Sequence, residues 1–285
     1  MNNVDLHTHS LYSDGTFTPD EIVKYANEKG LRAIALTDHD TLSGINEAKT
    51  AGEKYGVEII PGIEVSTEYD ETEIHIVGLF VNENTEFNNA LKELRESREK
   101  RNIQMVEKLN RETDIKIKYE DVLKRVEGGI VTRAHIAREI IDKGYASSNN
   151  EVFEKYIGKG KPGYVKRSVM DWRDTLKYII CSGGLPVLAH PLLYKISSKY
   201  LEKIIEELAE KGLAAVEAYY STHSPSDVKY VKSLCVKYGL KISGGSDFHG
   251  SNKPKIDLGT GYGNLCVPYS VLEGLKEECE KRRGA

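Results

Sequence analysis

The sequence has few cysteines, and none of them is spaced as a metal ligand or a redox pair. There are four among 285 residues, and each lies in an apolar or helical stretch. This argues against a disulfide framework and against a thiolate metal site, so we predict reduced, buried thiols in a cytoplasmic protein. They are Cys181, Cys235, Cys266 and Cys279.

The sequence also lacks a long hydrophobic run. No stretch of about 18 apolar residues occurs, and a strand pattern begins by Val4. We therefore expect neither a membrane span nor a signal peptide. Hydrophobic residues make up 39% of the chain and charged residues 29%, which is ordinary for a globular protein.

A strong charge of one sign is missing as well. The formal net charge of −4 argues against broad, nonspecific binding to duplex DNA. The charge is unevenly spread, because residues 83–167 contain 19 Lys and Arg against 15 Asp and Glu, while the remainder carries about −8. An acidic body suits metal ligands, and a basic segment suits an anionic substrate.

Short apolar runs alternate with amphipathic stretches along most of the chain. Strands are predicted at 3–6, 32–37, 57–65, 73–81, 185–189, 214–218, 241–245 and 263–267. Helices are predicted at 18–29, 43–55, 171–182, 198–211, 224–238 and 268–282. This alternation predicts an α/β fold with a parallel sheet that is closed or nearly closed into a barrel.

Residues 82–167 interrupt the alternation. One long helix, marked by an apolar stripe from Phe87 to Leu109, is followed by three shorter helices at about 119–126, 132–143 and 150–157. We predict a helical insertion domain packed over the barrel mouth. The barrel domain then consists of residues 1–81 and 168–285.

The eight histidines lie in short polar motifs, and most of these motifs follow a predicted strand. The motifs are DLHTH, LTDHD, EIHIVG, TRAHIA, VLAHP, STHSPSD and GGSDFHG. Two histidines at i and i+2 on a strand end, His7 and His9, point the same way and can bind one ion together. Because carboxylates accompany the motifs, we predict a multi-metal site and, as the first hypothesis, a hydrolase.

Six segments, in this order, resemble the polymerase and histidinol phosphatase (PHP) family over nearly the whole chain. They are DLHTHSLYSDG, ALTDHDTLSG, PGIEVS, EIHIVGLF, VLAHP and GGSDFHG. The resemblance implies a distorted (β/α)7 barrel that carries two or three divalent ions at the C-terminal ends of its strands. Mn²⁺ is the metal we expect, with Fe or Zn as alternatives, since all accept imidazole and carboxylate ligands.

The resemblance also implies how the ligands are grouped. One ion is held by His7, His9, Glu64 and Asp247; a second by Glu64 as a bridge with His75 and His190; a third by Asp14, His39 and His249. A bridging carboxylate agrees with general chemistry, because it holds two cations roughly 3.5–4 Å apart. Asp38 and Asp40 either orient an imidazole or protonate a leaving group, and the orienting role is favoured, as it is for Asp5.

The predicted insertion carries a candidate phosphate site. Arg133, His135 and Arg138 lie on the first two turns of a helix, where arginine and imidazole suit a phosphate. A solvated helix with surface arginines is the alternative, and we favour phosphate binding. Lys159 and Lys161, in a glycine-rich loop, form either a basic lip or part of a return linker, with the linker slightly favoured.

A second candidate contact follows the strand predicted at 214–218. His223 lies near the start of a helix, and we predict it as a substrate contact and as the catalytic acid. Tyr219 or Tyr220 either stacks on a base or has only a structural role.

These features predict a metal-dependent phosphoesterase that acts on phosphate monoesters of nucleotides. The resemblance points to the branch that hydrolyses 3′,5′-bisphosphate nucleotides and trims short single-stranded RNA from the 5′ end. The alternatives are a histidinol-phosphate phosphatase, which has no need of a basic insertion, and a noncatalytic metal- or phosphate-binding module beside a polymerase. An amidohydrolase normally adds a carboxylated lysine at a strand end, and no lysine is placed there.

Overall fold

A computed structural model describes residues 3–126 and 130–284. The predicted barrel ends at residues 1 and 285 lie outside the described residues, as do positions 127–129 of the predicted insertion. Within the described ranges, no helix combines the length and the apolar character needed to cross a membrane.

The described residues form one sheet with helices around it. The strands are β1 (Asn3–Thr8), β2 (Leu31–Leu36), β3 (Glu58–Tyr69), β4 (Thr72–Leu79), β5 (Met170–Asp171), β6 (Leu185–Leu188), β7 (Ala215–Tyr220), β8 (Lys241–Gly245) and β9 (Val267–Pro268). The α-helices are α1 (Pro19–Glu28), α2 (Ile45–Tyr55), α3 (Thr85–Glu112), α4 (Tyr119–Leu123), α5 (Arg133–Asp142), α6 (Asn149–Val152), α7 (Trp172–Cys181), α8 (Ser198–Glu210), α9 (Pro225–Lys237) and α10 (Tyr269–Arg283). A π-helical turn, Phe153–Ile157, follows α6.

The sheet is mixed: the predicted parallel pairing is found between most neighbouring strands, but the prediction is wrong at β4 and at β9, which pairs antiparallel with β1. Its strand order is β8-β7-β6-β4-β3-β2-β1-β9, and β4 runs antiparallel to both β3 and β6. The reason is the connection before it: Tyr69 pairs with Thr72, which leaves only two residues between the strands. Parallel neighbours need a much longer crossover, so a two-residue link fixes a hairpin.

The barrel is closed by residues just beyond β8. The backbone N–H of Asp247 donates to the carbonyl of His7 (2.9 Å), and that of His9 donates to the carbonyl of Phe248 (3.0 Å). Beside this seam, the buried carboxylate of Asp5 accepts hydrogen bonds from the backbone N–H (2.8 Å) and the hydroxyl (2.5 Å) of Ser246. These contacts confirm the predicted distorted, nearly closed α/β barrel.

The helix positions follow from local sequence. Thr18 and Glu21 form a capping box, and Pro19 occupies the first turn of α1, where its missing N–H costs nothing. Ile22 and Val23 on the same helix are buried against β2 and α2 in one apolar cluster. The six predicted barrel helices all form, each within two residues of its predicted ends.

The long helix α3 belongs to two apolar cores. Its first half packs on the barrel through Phe87 and Leu91. Its second half contributes Met105 and Leu109 to a separate cluster with α4, α5 and α6. The helical segment after residue 100 therefore has its own core, while α3 anchors it to the barrel.

The four cysteines are free thiols. Cys235 and Cys279 are buried, as predicted, but Cys181 and Cys266 are exposed. The prediction of burial is wrong for Cys181 because this last residue of α7 lies on the outward face of an amphipathic helix.

The two cores predict separable stability. Leu109→Ala should lower the free energy of unfolding by about 2–5 kcal/mol, because it leaves a cavity in the core of the helical segment. Hydrogen exchange should then quicken in α5 and α6 but not in β1. Val236→Ala, at an exposed position, is the control and should stay within about 0.5 kcal/mol. If Leu109→Ala reduced the protection from hydrogen exchange in the barrel strands as much as in α5 and α6, the two cores would not be independent.

Candidate metal centre and anion pocket

The nine predicted ligands converge at one end of the barrel. All are buried except His39 and His75, which are half-buried. Backbone hydrogen bonds beyond β2 place His39 beside Glu64: the Asp40 N–H donates to the Glu64 carbonyl, and the Glu64 N–H donates to that of Asp38. Because β4 is antiparallel, its beginning, with His75, lies at the same end where the parallel strands finish.

Glu64 is the centre of the cluster. Imidazole nitrogens from five histidines surround its two oxygens: His75 Nδ1 (2.8 Å) and His190 Nε2 (3.0 Å) face Oε1, while His39 Nδ1 (3.1 Å), His9 Nε2 (3.3 Å) and His7 Nε2 (3.5 Å) face Oε2. Burial raises the pKa of this carboxyl, but the charges of His39 and His75 outweigh burial and hold it well below its usual range.

Asp247 presents one oxygen to the cluster and is held by the other. Oδ1 lies 3.4 Å from His9 Nε2 and 3.8 Å from His7 Nε2. Oδ2 accepts hydrogen bonds from the Tyr220 hydroxyl (2.7 Å) and the Lys253 ammonium (2.6 Å). The carboxylate is therefore oriented to offer a single oxygen to an ion.

Asp14 forms the third part of the cluster. Its Oδ1 lies 3.1 Å from His249 Nε2, 3.8 Å from His9 Nδ1 and 4.0 Å from His39 Nε2. The other nitrogen of His249 lies 2.8 Å from the backbone carbonyl of Asp247, to which it donates. With Nδ1 as the donor, Nε2 is the nitrogen that faces the carboxylate and is available to a metal ion.

Four overlapping groups of side chains have ligand atoms within 4.8 Å of one another. They are His9-Asp14-His39-His249, His7-Glu64-His190, His7-His9-Asp247 and His39-Glu64-His75. The structure brings all nine predicted ligands together, but it places His190 next to His7 rather than grouping it only with His75. His9 and His39 each lie between two groups.

Unsatisfied polar atoms show that these side chains fit divalent cations. Within the described ranges, His7 Nε2, His9 Nε2, Asp14 Oδ1 and His39 Nδ1 are buried without a hydrogen-bond partner. Leaving such atoms unpaired costs roughly 1–3 kcal/mol each. Two ligands bound to one ion at about 2.0–2.2 Å lie roughly 3–3.6 Å apart, which is close to the spacing observed here.

Glu217 is a functional residue that the sequence analysis missed. Its Oε1 lies 3.1 Å from His7 Nδ1, and its Oε2 accepts a hydrogen bond from the backbone N–H of His190 (2.7 Å). Burial lowers the pKa of His7, but the charge of Glu217, followed by that of Glu64, raises it well above its usual value. The only sequence signal is a glutamate inside the otherwise apolar strand AVEAYY.

Asp38 holds a loop rather than an imidazole. It accepts hydrogen bonds from the Ser10 N–H (2.7 Å) and from the hydroxyls of Ser10 and Ser13 (2.6 Å each), in the loop that carries Asp14. Burial raises its pKa to about 6. In the part of the chain that the structure describes, neither Asp38 nor Asp5 hydrogen-bonds an imidazole ring, so the favoured orienting role is not observed. Asp5 closes the barrel instead.

Three residues of the site have left-handed backbone conformations. They are Asp40 (φ 53°), His190 (φ 27°) and Asp247 (φ 60°). For non-glycine residues this costs of order 1–3 kcal/mol each, and such strain concentrates at functional sites. Each of the three lies just after a strand, where the chain must turn while presenting a side chain to the cluster.

A cavity of about 570 Å³ extends from the metal ligands to the helical segment. Asp14, His39 and His75 line one end. The remaining wall carries six basic side chains, Arg98, Arg101, Arg133, Lys159, Lys166 and Arg167, together with Glu68, Glu71, Glu73, Phe153 and Tyr164. The candidate metal ligands thus adjoin a basic pocket.

Two cavity arginines come from successive turns of α3, and both were missed from sequence. Arg98 is ion-paired with the buried carboxylate of Asp40. Among residues 3–126 and 130–284, no carboxylate pairs with Arg101, whose guanidinium is buried. Burial lowers the pKa of Arg101 to about 9, and the positive charges of Arg133 and Arg167 act in the same direction. Four guanidinium groups are therefore crowded around one space.

The residues predicted on α5 separate into three environments. Arg133 lines the cavity. His135 is buried, its Nδ1 accepts the N–H of Thr132 (3.1 Å), and it lies close enough to Asp14 for their charges to interact. Arg138 is 63% exposed and paired with Asp142, so the structure does not bring it to the cavity. The spacing i, i+5 turns Arg138 to another face of the helix than Arg133.

His223 is buried beside the ring of Tyr220. Its Nδ1 lies 2.9 Å from the carbonyl of Ala218, to which it donates, and its Nε2 has no partner within the described ranges. Tyr220 holds Asp247 and is not free to stack on a base, while the hydroxyl of Tyr219 accepts a hydrogen bond from Lys232.

The cluster predicts how metal content responds to single substitutions. Glu64→Gln should remove more than one ion per chain, because Glu64 belongs to two of the groups. Asp14→Asn should remove one, because Asp14 belongs to a single group. Elemental analysis after gel filtration measures both, with Glu202→Gln, on the outer surface, as the control. Equal metal content in all three variants would show that the carboxylates are not ligands.

The chain is similar to known proteins over most of its length. The PHP domain matches residues 5–161 of the chain. The 5′-3′ exoribonuclease Rnm of Salmonella typhimurium is 36% identical over 280 residues, covering 97% of this chain and 94% of that protein. The 3′,5′-nucleoside bisphosphate phosphatase of Chromobacterium violaceum is 33% identical over 261 residues, covering 91% of each.

Solved structures agree over almost the whole length. A Chromobacterium violaceum protein described as an amidohydrolase with bound sulfate and no metal superposes with a TM-score of 0.86 at 32% identity, covering 98% of this chain and 96% of that one. A metal-dependent phosphoesterase from Bifidobacterium adolescentis gives 0.85 at 26% identity, covering 96% of each chain. The predicted resemblance is confirmed, and the chain belongs to the PHP domain family.

Proposed function

We propose that this chain is a metal-dependent phosphoesterase whose substrates are nucleotides with two phosphate groups, namely 3′,5′-bisphosphate nucleotides and the 5′-phosphorylated ends of short RNA. The observation that carries the proposal is the buried guanidinium of Arg101, which has no carboxylate partner in the described residues. A buried, unpaired charge is costly. A phosphate in the cavity supplies the missing anion while a second phosphate reaches the metal ligands.

The proposed metal centre uses two or three divalent ions, with Mn²⁺ first and Fe or Zn as alternatives. When bound, such ions activate a hydroxide and neutralise charge on the phosphoryl group. The protein's own groups hold the geometry: Glu217 orients His7, and Tyr220 and Lys253 orient Asp247. The predicted cytoplasmic location belongs to the same proposal.

His223 is proposed as the acid and as a substrate contact. With Nδ1 donating to the carbonyl of Ala218, proton exchange is left to Nε2, the nitrogen without a partner in the described residues. Arg133 and His135 complete the proposed substrate contacts, one on the cavity wall and one at the Asp14 end. Arg138 is left out because its guanidinium points away from the cavity and pairs with Asp142.

The two activities named among the relatives share one arrangement. An exoribonuclease that starts at a 5′ end cleaves on the 3′ side of the first nucleotide, and a 3′,5′-bisphosphate nucleotide has its other phosphate at that position. In both cases the 5′-phosphate suits the arginines while the 3′-phosphorus suits the metal ligands. A histidinol phosphate has one phosphate only, so it leaves the arginine cluster without a partner.

A hydrolysis panel with Mn²⁺ tests the proposal, with released phosphate measured for the phosphate monoesters and released 5′-mononucleotide measured for the RNA. It comprises 3′,5′-bisphosphoadenosine, AMP, histidinol phosphate, an aryl phosphate and a 5′-phosphorylated short RNA. We expect the bisphosphate and the RNA to have the highest kcat/KM. Turnover of histidinol phosphate alone would show that the nucleotide assignment is wrong.

Arg101→Met tests the second-phosphate pocket within that panel. Loss of a charged hydrogen-bond donor should raise KM for 3′,5′-bisphosphoadenosine by roughly 10- to 100-fold. The aryl phosphate should change by less than about threefold, because it has no second phosphate. Arg138→Ala is the matched control from α5 and should leave both KM values near those of the unmodified protein. If Arg101→Met raised KM equally for both substrates, Arg101 would not bind a second phosphate, and the proposed pocket would be wrong.

A further inference from the structure

A carboxylate of the protein itself lies among the cations of the cavity. Glu73 Oε1 is 3.6 Å from Arg167 Nη2 and 3.6 Å from His75 Nε2, while its Oε2 is 3.8 Å from Arg133 Nη2. All three distances exceed 3.5 Å, so the pairing is loose. The side chain is 46% exposed.

The contrast with Asp40 shows that this pairing is of a different kind. Asp40 is buried, pairs with Arg98, and accepts from the Arg95 guanidinium on its backbone carbonyl (2.7 Å). That contact joins α3 to the barrel. Glu73, in contrast, is the second residue of β4, directly after the hairpin turn, and a change of rotamer moves it into solvent.

The hairpin itself disfavours the position of Glu73. Its cross-strand partner is Glu68, and two like charges placed directly opposite each other destabilise a strand pair. Glu68 is compensated by Lys166 (3.1 Å). Glu73 is compensated by the arginines of the cavity, which are the groups assigned above to the substrate's second phosphate.

We propose that Glu73 is an internal competitor for the second-phosphate pocket: its carboxylate occupies Arg133 and Arg167 when no ligand is bound, and a phosphate must displace it. This inference rests on the proposed function. Glu73 limits repulsion among the arginines in the empty pocket and weakens the binding of every anion there by one common factor. The product that retains the 5′-phosphate then leaves more easily.

The competition has a thermodynamic signature. Because the same displacement precedes the binding of any pocket anion, removing the carboxylate should strengthen all of them by the same ratio. For a half-exposed ion pair we expect this ratio to be roughly three- to fivefold. A residue that contacts the substrate, or that only orients His75, gives a different pattern.

The experiment compares Glu73→Gln with the unmodified protein, both loaded with Mn²⁺. The KM for 3′,5′-bisphosphoadenosine and the Kd for 5′-AMP, the latter measured by titration calorimetry, should fall by one common factor of roughly three to five. Glu58→Gln is the control, since it removes a half-exposed carboxylate of the neighbouring strand β3 that pairs with Lys276, outside the cavity. It should leave both constants within about twofold.

Two results would overturn the proposal. A rise in KM and Kd would mean that Glu73 helps to hold the ligand. A loss of bound Mn²⁺, together with a lower kcat on an aryl phosphate, would mean that Glu73 serves His75. If the unmodified protein does not turn over the bisphosphate, the proposed function fails, while the change in Kd for 5′-AMP still tests Glu73 by itself.

Discussion

The structure depends on one interaction, the contact of the Glu64 carboxylate with imidazoles from four distant parts of the chain. Five rings face its two oxygens within 3.5 Å. Such a concentration of buried polar atoms is unfavourable by itself, because several of them have no hydrogen-bond partner within the described residues. The proposed divalent cations would pair these atoms and so stabilise the arrangement.

The barrel supplies what the cluster needs. Parallel strands end at one edge and deliver His7, His9 and His190 there, while the antiparallel β4 delivers His75 from its beginning. Closure beyond β8 brings Asp247 to β1 through its hydrogen bond with the carbonyl of His7. Helix α3 places Arg98 and Arg101 beside the same opening. The ion pair of Arg98 with Asp40, the residue after His39, joins this helix to the cluster. The basic cavity and the proposed metal centre thus lie on adjoining residues.

Much of this could be predicted from sequence, because strand periodicity and the histidine motifs are local signals. The helices and most strands lie within a few residues of their predicted positions, and the nine proposed ligands converge. The direction of β4 escaped prediction because a two-residue turn has no strong motif. Glu217 and Arg101 escaped because a charged residue in a strand or on a helix is usually solvated, and only tertiary packing reveals its burial. Arg138 is of a suitable residue type to bind phosphate, but its position on α5 turns its side chain to a face of the helix that does not line the cavity.

The most direct test of the shared carboxylate is electron paramagnetic resonance of the protein loaded with Mn²⁺. Two ions bridged by Glu64 would lie roughly 3.5–4 Å apart, which is close enough for exchange coupling. As loading approaches saturation, we expect the hyperfine pattern of isolated Mn²⁺ to give way to the spectrum of a coupled pair. Persistence of the isolated pattern at every loading, in protein that is active, would contradict a centre organised around Glu64.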